Sequence, residues 1–234
     1  MAATTSSTHT RPDFSDEIAM QALAALAGPY LPWGSGAMRP AGLVSVCNDI
    51  VLNERHRIVE LGSGISTVLL ARLLSQRPPA SGFRMATVEH DPLWAQWVRE
   101  QLDREGTGTD VTVVQAHLVA HPRADPDLHW YDETALTGGL REALQTDLID
   151  LLVVDGPPAH AAGLGLARYP ALPVLGDRLA PGATVVLDDA ERAGEHEVLH
   201  RWERETGLVF DRSAERGGVA VACVPSEGLR TLHG

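Results

Sequence analysis

From residue 57 onward the chain alternates short apolar runs with longer stretches of helical periodicity. Most of the runs are continuous β-branched segments, which is typical of strands that are covered on both faces. They are RIVEL (57–61), MATVEH (85–90), VTVVQA (111–116), LIDLLVVD (148–155) and ATVVLDD (183–189). Because helices connect successive strands in such an alternation, the pattern predicts a parallel, doubly wound α/β sheet with right-handed crossovers.

The stretches between the runs predict the connecting helices, and the chain ends in a different pattern. We expect helices at 66–76, 92–102, about 138–146 and 168–179. After residue 206, GLVFDR and VAVACV are typical of two strands joined by a short connection, hence an antiparallel hairpin. The predicted fold class is therefore α/β, a Rossmann-like, doubly wound, mostly parallel seven-stranded sheet with a C-terminal antiparallel hairpin.

The region before the first predicted strand has a composition of its own. It predicts two helices, at about 14–27 and 41–53, which flank a stretch rich in Gly and Pro at 28–40. The first dozen residues are polar and lack the apolar segment of a secretory signal, so we expect 1–12 to be a disordered leader.

Charge and apolar content narrow the classes of partner. The formal net charge is −12 and all nineteen basic residues are arginine, without a basic stripe, so the chain would repel nucleic acid. No apolar run approaches the roughly 18 residues that a membrane span needs. Cys47 and Cys223 lie far apart in the sequence without CxxC spacing, and we interpret them as reduced core residues of a cytoplasmic protein. A small molecule is the expected partner, and a homodimer is compatible with the sequence.

The stretch IVELGSGISTVLL (58–70) predicts a strand, a glycine turn and the start of a helix. Gly62 and Gly64 allow a tight turn and the close approach of a ligand to the backbone, and Ser66 or Thr67 can cap the helix. A dinucleotide fingerprint requires glycine where Thr67 stands, and a P-loop requires a Lys-Ser/Thr pair that is absent. Neither phosphate-binding class is favoured, and a turn with a purely structural role is common.

An acidic residue, Glu89, ends the second predicted strand about 25 residues after the glycine turn. In dinucleotide-binding folds an acidic residue at this place accepts hydrogen bonds from both ribose hydroxyls. The alternative is an ordinary negative charge before the helix that Pro92 begins.

The order of these motifs resembles that of the class I S-adenosylmethionine (SAM)-dependent methyltransferases. The motifs are ELGSG-x-ST, then VEHD, then VDGPP, then LAPGATVVLDDA. The chain is most similar to a bacterial group of largely uncharacterised small-molecule methyltransferases that carry WYD, DGPP, RYPALP and LDDA-x-R motifs. Here these motifs lie at Trp130–Asp132, Asp155–Pro158, Arg168–Pro173 and Leu187–Arg192.

The resemblance implies roles for particular residues and a division of the chain. Residues 13–56 would form helices and a cap on the substrate side, and 57–234 would form the SAM-binding methyltransferase domain. In that domain Glu89 would bind the ribose, with His90 beside it, and His117 would lie near the adenine. The remaining residues expected at the cofactor, mostly around its methionine end, are Glu60, Gly62, Ser63, Gly64, Ser66, Thr67 and Asp155.

Three aspartates end the last two parallel strands, and they are expected to converge. Asp155 follows one strand, and Asp188 and Asp189 follow the next, so all three belong at the carboxyl edge of the sheet. Converging carboxylates repel one another unless a positive charge lies among them. A divalent cation such as Mg²⁺ would supply it, and so would Arg168 or Arg192. In a third interpretation, Asp188 and Asp189 only cap the next helix.

The aspartates make the chain distantly similar to the catechol-type O-methyltransferases, whose metal ligands come from these two strand ends. There the metal brings a substrate hydroxyl to the methyl group and lowers its pKa. Asp189 stands where that family has Asn, and the family's lysine base has no counterpart, so His160 is the candidate base beside the catalytic candidates Asp155 and Asp188.

The expected reaction is methylation of a small molecule, with O-methylation favoured over N-methylation and a non-catalytic SAM-binding module as a further alternative. Aromatic and apolar residues in the stretches beside the site would wall the substrate pocket, although each could equally be core packing. The candidate substrate-binding residues are Trp33, Met38, Tyr131, Arg168 and Arg192.

A zinc-peptidase motif of the form H-E-x-x-H, HEVLH, occurs at 196–200. The helical periodicity places Val198 and Trp202 on the side that faces the sheet, together with Glu191 and Glu195, and turns His196 toward solvent with the second histidine of the motif. A catalytic zinc pair must line a cleft and needs a third ligand. We therefore do not favour a metallopeptidase.

Overall fold

The structure is a computed structural model that describes residues 14–78, 82–108, 110–212 and 217–229. The predicted leader at 1–12 lies outside these residues. The helices are α1 (Phe14–Leu23), α2 (Pro40–Leu52), α3 (Ile65–Ser75), α4 (Pro92–Arg104), α5 (Glu133–Leu144), α6 (Ala171–Leu175) and α7 (Ala193–Thr206). The strands are β1 (Arg57–Leu61), β2 (Arg84–Glu89), β3 (Val111–Gln115), β4 (Leu118–Ala120), β5 (His129–Tyr131), β6 (Ile149–Val154), β7 (Leu179–Leu187) and β8 (Ala220–Cys223).

Within the described residues the main sheet has six strands, in the order β3-β2-β1-β6-β7-β8. The first five of these pair in parallel, and β8 pairs antiparallel to β7. The chain builds outward from β1 to β3 and then returns to start again at β6 beside β1. The sheet therefore reverses its direction of growth between β1 and β6, which is where doubly wound sheets bind ligands.

Helices cover both faces of the sheet, which explains the continuous apolar runs. On β1, Ile58 packs into a core with α2, α3 and α4, whereas Val59 and Leu61 pack into a second core that includes residues of α5 and α7. All three side chains are fully buried. The prediction of a doubly wound α/β fold is confirmed.

Local sequence signals set the helix ends near the site. The Asp91 carboxylate accepts hydrogen bonds from the backbone N–H groups of Leu93 and Trp94, and Pro92 occupies the first position of α4. Asp132 caps α5 in the same way, so α5 begins five residues before the predicted stretch at 138.

Two elements in the second half of the chain are less regular than predicted. The predicted helix at 168–179 is only the short α6, followed by a 3₁₀ turn at Gly176–Arg178. Strand β7 starts at Leu179, four residues before the predicted run, and carries a register irregularity opposite β6. Gly182 adopts a φ of +78°, so the Pro-Gly pair bends this strand rather than preceding it.

The predicted antiparallel pairing at the C-terminal end of the sheet is confirmed. The run that was predicted to be the seventh strand, however, does not form a continuous strand. The run GLVFDR contributes one isolated bridge, in which Asp211 and Val221 exchange backbone hydrogen bonds of 2.8 and 3.0 Å. Residues 213–216 of the connection lie outside the described residues. Leu208 and Phe210 are buried, whereas Val209 between them is exposed. Burial therefore alternates along this run as it would in a strand.

The WYD motif begins in a short strand outside the main sheet. Trp130 and Tyr131 belong to β5, which pairs antiparallel with β4 in a separate two-stranded sheet, and both side chains are fully buried.

Cys47 is a buried free thiol and Cys223 an exposed one, so only Cys47 matches the predicted core position. None of the helices in the described part of the chain has the length and apolar character that crossing a membrane requires.

Candidate functional site

The reversal point of the sheet brings the ends of β1 and β6 together at its carboxyl edge. The backbone N–H of Asp155 donates to the Leu61 carbonyl oxygen at 2.9 Å, and that of Asp188 donates to the Val154 carbonyl oxygen at 3.0 Å. The residues that follow these strands therefore start side by side at this edge of the sheet.

The glycine turn after β1 packs directly against the segment after β6. Gly62 has a φ of +86°, and a Cβ built on it would lie 2.9 Å from the backbone nitrogen of Gly156. Only glycine combines this backbone conformation with this close approach. The Gly62 N–H donates to the Val88 carbonyl oxygen at 2.9 Å, which ties the turn to β2 as well.

Glu60 lies beneath the turn rather than in the cleft. It is fully buried, and its Oε2 accepts hydrogen bonds from the hydroxyls of Thr67 (2.5 Å) and Thr87 (2.8 Å). Thr67 also accepts from the backbone N–H of Gly64 at 2.9 Å, as the predicted capping role requires. Burial raises the pKa of Glu60, and its second oxygen, Oε1, has no hydrogen-bond partner among the described residues.

This corrects three of the predicted cofactor contacts. Ser66 and Thr67 are buried, and Glu60 is engaged by threonines, so these residues support the turn from below. The sequence pattern could not distinguish a ligand contact from a support, because both follow the same strand.

Glu89 faces the cleft at the end of β2 and accepts several hydrogen bonds. Its Oε2 accepts from the backbone N–H of Ser63 at 3.1 Å and from the Ser63 hydroxyl at 2.8 Å. Its Oε1 accepts from the backbone N–H groups of His90 (2.8 Å) and Asp91 (2.9 Å), and lies 2.9 Å from His90 Nδ1. Burial alone would raise the pKa of Glu89, but these hydrogen bonds outweigh burial and hold the pKa below its usual value. The hydrogen bond to Glu89 in turn raises the pKa of His90.

Trp94 is a site residue that the sequence analysis missed. Its indole N–H donates to the Ser63 carbonyl oxygen at 2.8 Å, and its ring stacks on Trp97 with centroids 4.7 Å apart. It is the third residue of α4. The amphipathic pattern of this helix does not indicate that the Trp94 side chain contacts the glycine turn.

Together these residues enclose a cleft of about 410 Å³. Five of the predicted cofactor residues line it, and His117 and Gly64 do not. His117 is exposed after β3, and its predicted contact with adenine stays a prediction. The cleft is lined by Gly36, Gly62, Ser63, Glu89, His90, Asp91, Trp94, Tyr131, Asp155, Gly156 and Pro158.

The three aspartates converge as predicted. Asp155, Asp188 and Asp189 each offer a carboxylate oxygen, and these atoms lie within 4.8 Å of one another. Burial, and after it the neighbouring carboxylates, raise the pKa of Asp155 and of Asp188. Asp189 adopts a φ of +56°, in the left-handed region.

An arginine lies within this cluster. Arg168 Nη2 is 3.2 Å from Asp155 Oδ1, and Nη1 is 3.1 Å from Asp189 Oδ2 and 3.6 Å from Glu195 Oε1. Arg192 Nη1 approaches the same Asp189 oxygen at 2.6 Å. Carboxylate oxygens suit a hard cation, but two of the three carboxylates contact guanidinium groups. The cluster therefore fits the arginine interpretation of the sequence better than the Mg²⁺ interpretation.

Comparison with known proteins identifies the family. A family model described as a methyltransferase domain matches residues 59–190, more than half of the chain, including the glycine turn, Glu89 and the aspartate cluster. The chain belongs to this methyltransferase family. The predicted specific bacterial group stays a prediction, and no curated protein matches the sequence.

Solved structures similar to this methyltransferase share its fold. One is an O-methyltransferase from Bacillus cereus in complex with SAH, with 16% identity, a TM-score of 0.51, and coverage of 95% of this chain and 90% of that chain. Another is the O-methyltransferase TomG from Streptomyces achromogenes, involved in tomaymycin synthesis and bound to SAM. It has 18% identity and a TM-score of 0.53, with 94% and 93% of the two chains covered. At these identities the likeness shows that the methyltransferase has the fold of SAM-dependent enzymes.

Two of the predicted substrate contacts of the methyltransferase are not available to a substrate. Met38 is 2% exposed and packs in the core with α2 and α3. Arg168 is 3% exposed, and its guanidinium is engaged by carboxylates and carbonyl oxygens. Both were predicted because they lie in or near sequence motifs. The sequence does not show that their side chains are buried.

The other predicted substrate-side residues remain candidates. Tyr131 lines the cleft, and its hydroxyl has no hydrogen-bond partner among the described residues. Trp33 is partly exposed but is not among the lining residues, and Arg192 is half-exposed beside Asp189. His160 is exposed outside the lining set, so its role as a base stays a prediction.

The HEVLH motif lies on the outer face of α7. His196 and His200 are exposed, as predicted, and within the described residues the only cluster of potential metal ligands is the three aspartates. Glu195 is buried on the inner side as predicted, whereas Glu191 is exposed and pairs with Arg39 at 3.7 Å.

Proposed function

We propose that the protein transfers the methyl group of SAM to an oxygen atom of a small molecule. The observation that carries the proposal is the carboxylate of Glu89, held ionised at the cleft by hydrogen bonds from Ser63, His90 and Asp91. The fold shared with O-methyltransferases bound to SAH and SAM supports it.

The cleft offers groups of the right kind for each end of SAM. Gly62 and Ser63 line the side where the methionine end would lie, and the buried Tyr131 hydroxyl on that side has no hydrogen-bond partner among the described residues. Glu89 would accept the ribose hydroxyls, which would replace the Ser63 hydroxyl or His90 among its present donors. The adenine would extend past His90 toward the exposed end of β3.

SAM itself supplies an activated methyl carbon, so the protein's work is positioning. The glycine turn and Asp155 bound the site where the acceptor must approach in line with the transferred methyl. Gly62 packs closely on Gly156 at the floor of that site. The proton of the acceptor would pass to Asp155, or to His160 if its exposed segment closes.

The remaining expectations are part of the same proposal. Residues 13–56, with Gly36 at the cleft, would cap the substrate side, and 57–234 would bind the cofactor. Trp33, Tyr131 and Arg192 would contact the acceptor. The enzyme would act in the cytoplasm on a soluble metabolite without nucleic acid or membrane, as a monomer or a homodimer.

Isothermal titration with S-adenosylhomocysteine tests the cofactor. We expect saturable binding, weakened roughly tenfold or more in Glu89→Gln, because a hydrogen bond to a charged group contributes about 1.5–3 kcal/mol. Glu100→Gln is the matched control, since Glu100 is exposed on α4 and pairs only with neighbours on its own helix. Absence of heat with wild-type protein at tens of micromolar would overturn the proposal.

Turnover tests the reaction. Radiolabelled SAM is incubated with a panel of phenols, alcohols and amines, and methylated products are identified by mass spectrometry. Transfer to oxygen supports the proposal. Transfer only to nitrogen would make it an N-methyltransferase, and cofactor binding without transfer to any acceptor would indicate a non-catalytic module.

A further inference from the structure

The guanidinium group of Arg168 occupies the space that a cation would need among the aspartates. It contacts carboxylates from two strand ends, Asp155 at 3.2 Å and Asp189 at 3.1 Å, and lies 3.6 Å from Glu195 on α7. Arg168 thereby joins the loop after β6, the loop after β7 and the first turn of α7.

Backbone carbonyl oxygens fix the same guanidinium in place. Its Nη2 donates to the Asp155 carbonyl oxygen at 2.6 Å, Nη1 to that of Asp188 at 3.1 Å, and Nε to that of Pro157 at 3.3 Å. The side chain is 4% exposed. A buried planar group with each of its nitrogens donating is held in one orientation by the residues around it.

The requirements of a divalent cation conflict with this arrangement. Mg²⁺ demands near-octahedral oxygen ligands at roughly 2.0–2.1 Å and retains several waters. Asp155 Oδ1 already accepts from Arg168, Asp189 Oδ2 lies 3.1 Å from Arg168 Nη1, and Arg192 contacts the same Asp189 oxygen at 2.6 Å. A dication among them would lie against two guanidinium groups in a largely buried site, where like charges repel strongly.

We propose that Arg168 is the resident cation of the aspartate cluster and that this methyltransferase works without a divalent metal. Arg168 is then a positioning residue. It neutralises Asp155 and Asp189, and its bonds to the Asp155 and Pro157 carbonyl oxygens hold the Gly156 segment that forms the floor of the cleft. The catalytic part rests on the proposed function, whereas the state of the cluster does not.

Binding of Mn²⁺ alone, followed by electron paramagnetic resonance, tests the state of the cluster. At millimolar Mn²⁺, wild-type protein should have no Mn²⁺ site that depends on Asp188. Asp188→Asn should therefore leave its Mn²⁺ binding unchanged. Arg168→Met, which keeps an unbranched stem and removes the charge, should acquire one such site, and adding Asp188→Asn should abolish it. A stoichiometric Mn²⁺ site in wild-type protein that Asp188→Asn abolishes would overturn the proposal. So would a folded Arg168→Met variant that binds no Mn²⁺.

Arg168→Lys guards against a folding defect, because it retains the charge with fewer donors. Far-ultraviolet circular dichroism and thermal unfolding should show a folded Arg168→Lys variant that, like wild-type protein, binds no Mn²⁺. Mn²⁺ binding by this variant would mean that charge neutralisation is not what excludes the metal, and would overturn the proposal.

Chelation tests the catalytic part. With the acceptor found in the turnover panel, treatment with EDTA should leave kcat and KM unchanged, and added Mg²⁺ should not raise kcat. Loss of turnover with EDTA and recovery with Mg²⁺ would overturn metal-free catalysis. If S-adenosylhomocysteine does not bind at all, the proposed function fails, and the Mn²⁺ experiment still reports on the cluster.

Discussion

Ser63 and Glu89 close one side of the cleft by a double hydrogen bond, in which the amide and the hydroxyl of Ser63 both donate to Glu89 Oε2 at 3.1 and 2.8 Å. The bond connects the turn after β1 to the end of β2. The glycine turn and Glu89, the proposed ribose acceptor, are therefore one unit, and the protonation of Glu89 affects both.

His90 should stabilise the fold in its protonated form. The hydrogen bond to Glu89 raises the pKa of His90 above 6.5, so its contribution is fully present below that value and is lost as pH rises through the folded-state pKa. We expect His90→Asn to lower the free energy of unfolding at mildly acidic pH and much less at alkaline pH. Urea unfolding across this range measures the difference, and a deficit that grows with pH would contradict it.

Gly62→Ala should destabilise the protein and weaken cofactor binding. The backbone conformation alone costs a side chain about 1–2 kcal/mol, and the added Cβ would meet the Gly156 nitrogen at 2.9 Å. Gly64→Ala is the matched control for stability, because its φ is extended and a Cβ there meets no atom within 4 Å. Thermal unfolding of the two variants decides, and equal losses would contradict the assigned packing.

Glu60→Gln should become more stable relative to wild-type protein as pH rises. Burial raises the pKa of Glu60, so the acid contributes stability below its unfolded-state pKa and loses it as pH rises through the folded-state pKa. Glutamine can still accept from both threonines and never ionises. Glu60→Ala leaves the Thr67 and Thr87 hydroxyls without this acceptor, which we expect to cost about 1–3 kcal/mol. Denaturant unfolding of both variants at several pH values provides the check.

Trp94→Phe should weaken S-adenosylhomocysteine binding several-fold and lower thermal stability modestly. The change retains an aromatic ring to stack on Trp97 but removes the donor to the Ser63 carbonyl oxygen, a bond that contributes roughly 1 kcal/mol. Trp97→Phe alters the same stack without touching Ser63 and serves as the control. Titration calorimetry of both variants should separate them; identical affinities would refute a role for the indole N–H.

His196→Ala and His200→Ala should change neither turnover nor metal content. Both side chains are exposed on the outer face of α7. This face is opposite the inner side, where Glu195 lies 3.6 Å from Arg168. Elemental analysis of purified protein should find no stoichiometric zinc. Zinc that disappears on His196→Ala would restore the metallopeptidase interpretation.

The fold could be predicted closely from the apolar runs, because a parallel strand that is buried on both faces needs a continuous apolar sequence. The starts of β1 and β3 agree with the runs, and the convergence of Asp155 with Asp188 follows from two strands that end at one edge. Prediction was poorer where structure depends on capping or bends, as in α5, where Asp132 moves the start upstream, and in β7, which continues through Pro181 and Gly182.

Side-chain roles within the site were harder to predict, since they depend on burial. Glu60, Ser66 and Thr67 belong to the right motif, yet they lie under the turn. Trp94 reaches the cleft from a place in the sequence that carries no recognisable signal.

The sequence by itself determined the order of the parallel strands, the glycine turn, the acidic end of β2 and the three aspartates, because each depends on local periodicity or on the nature of one residue. Tertiary structure decided which charge lies among the aspartates. Arg168 comes from an irregular segment, and only the packing of that segment against two strand ends and α7 brings its guanidinium to Asp155 and Asp189. Long-range electrostatics of this kind depends on distances that are set when the whole chain has folded.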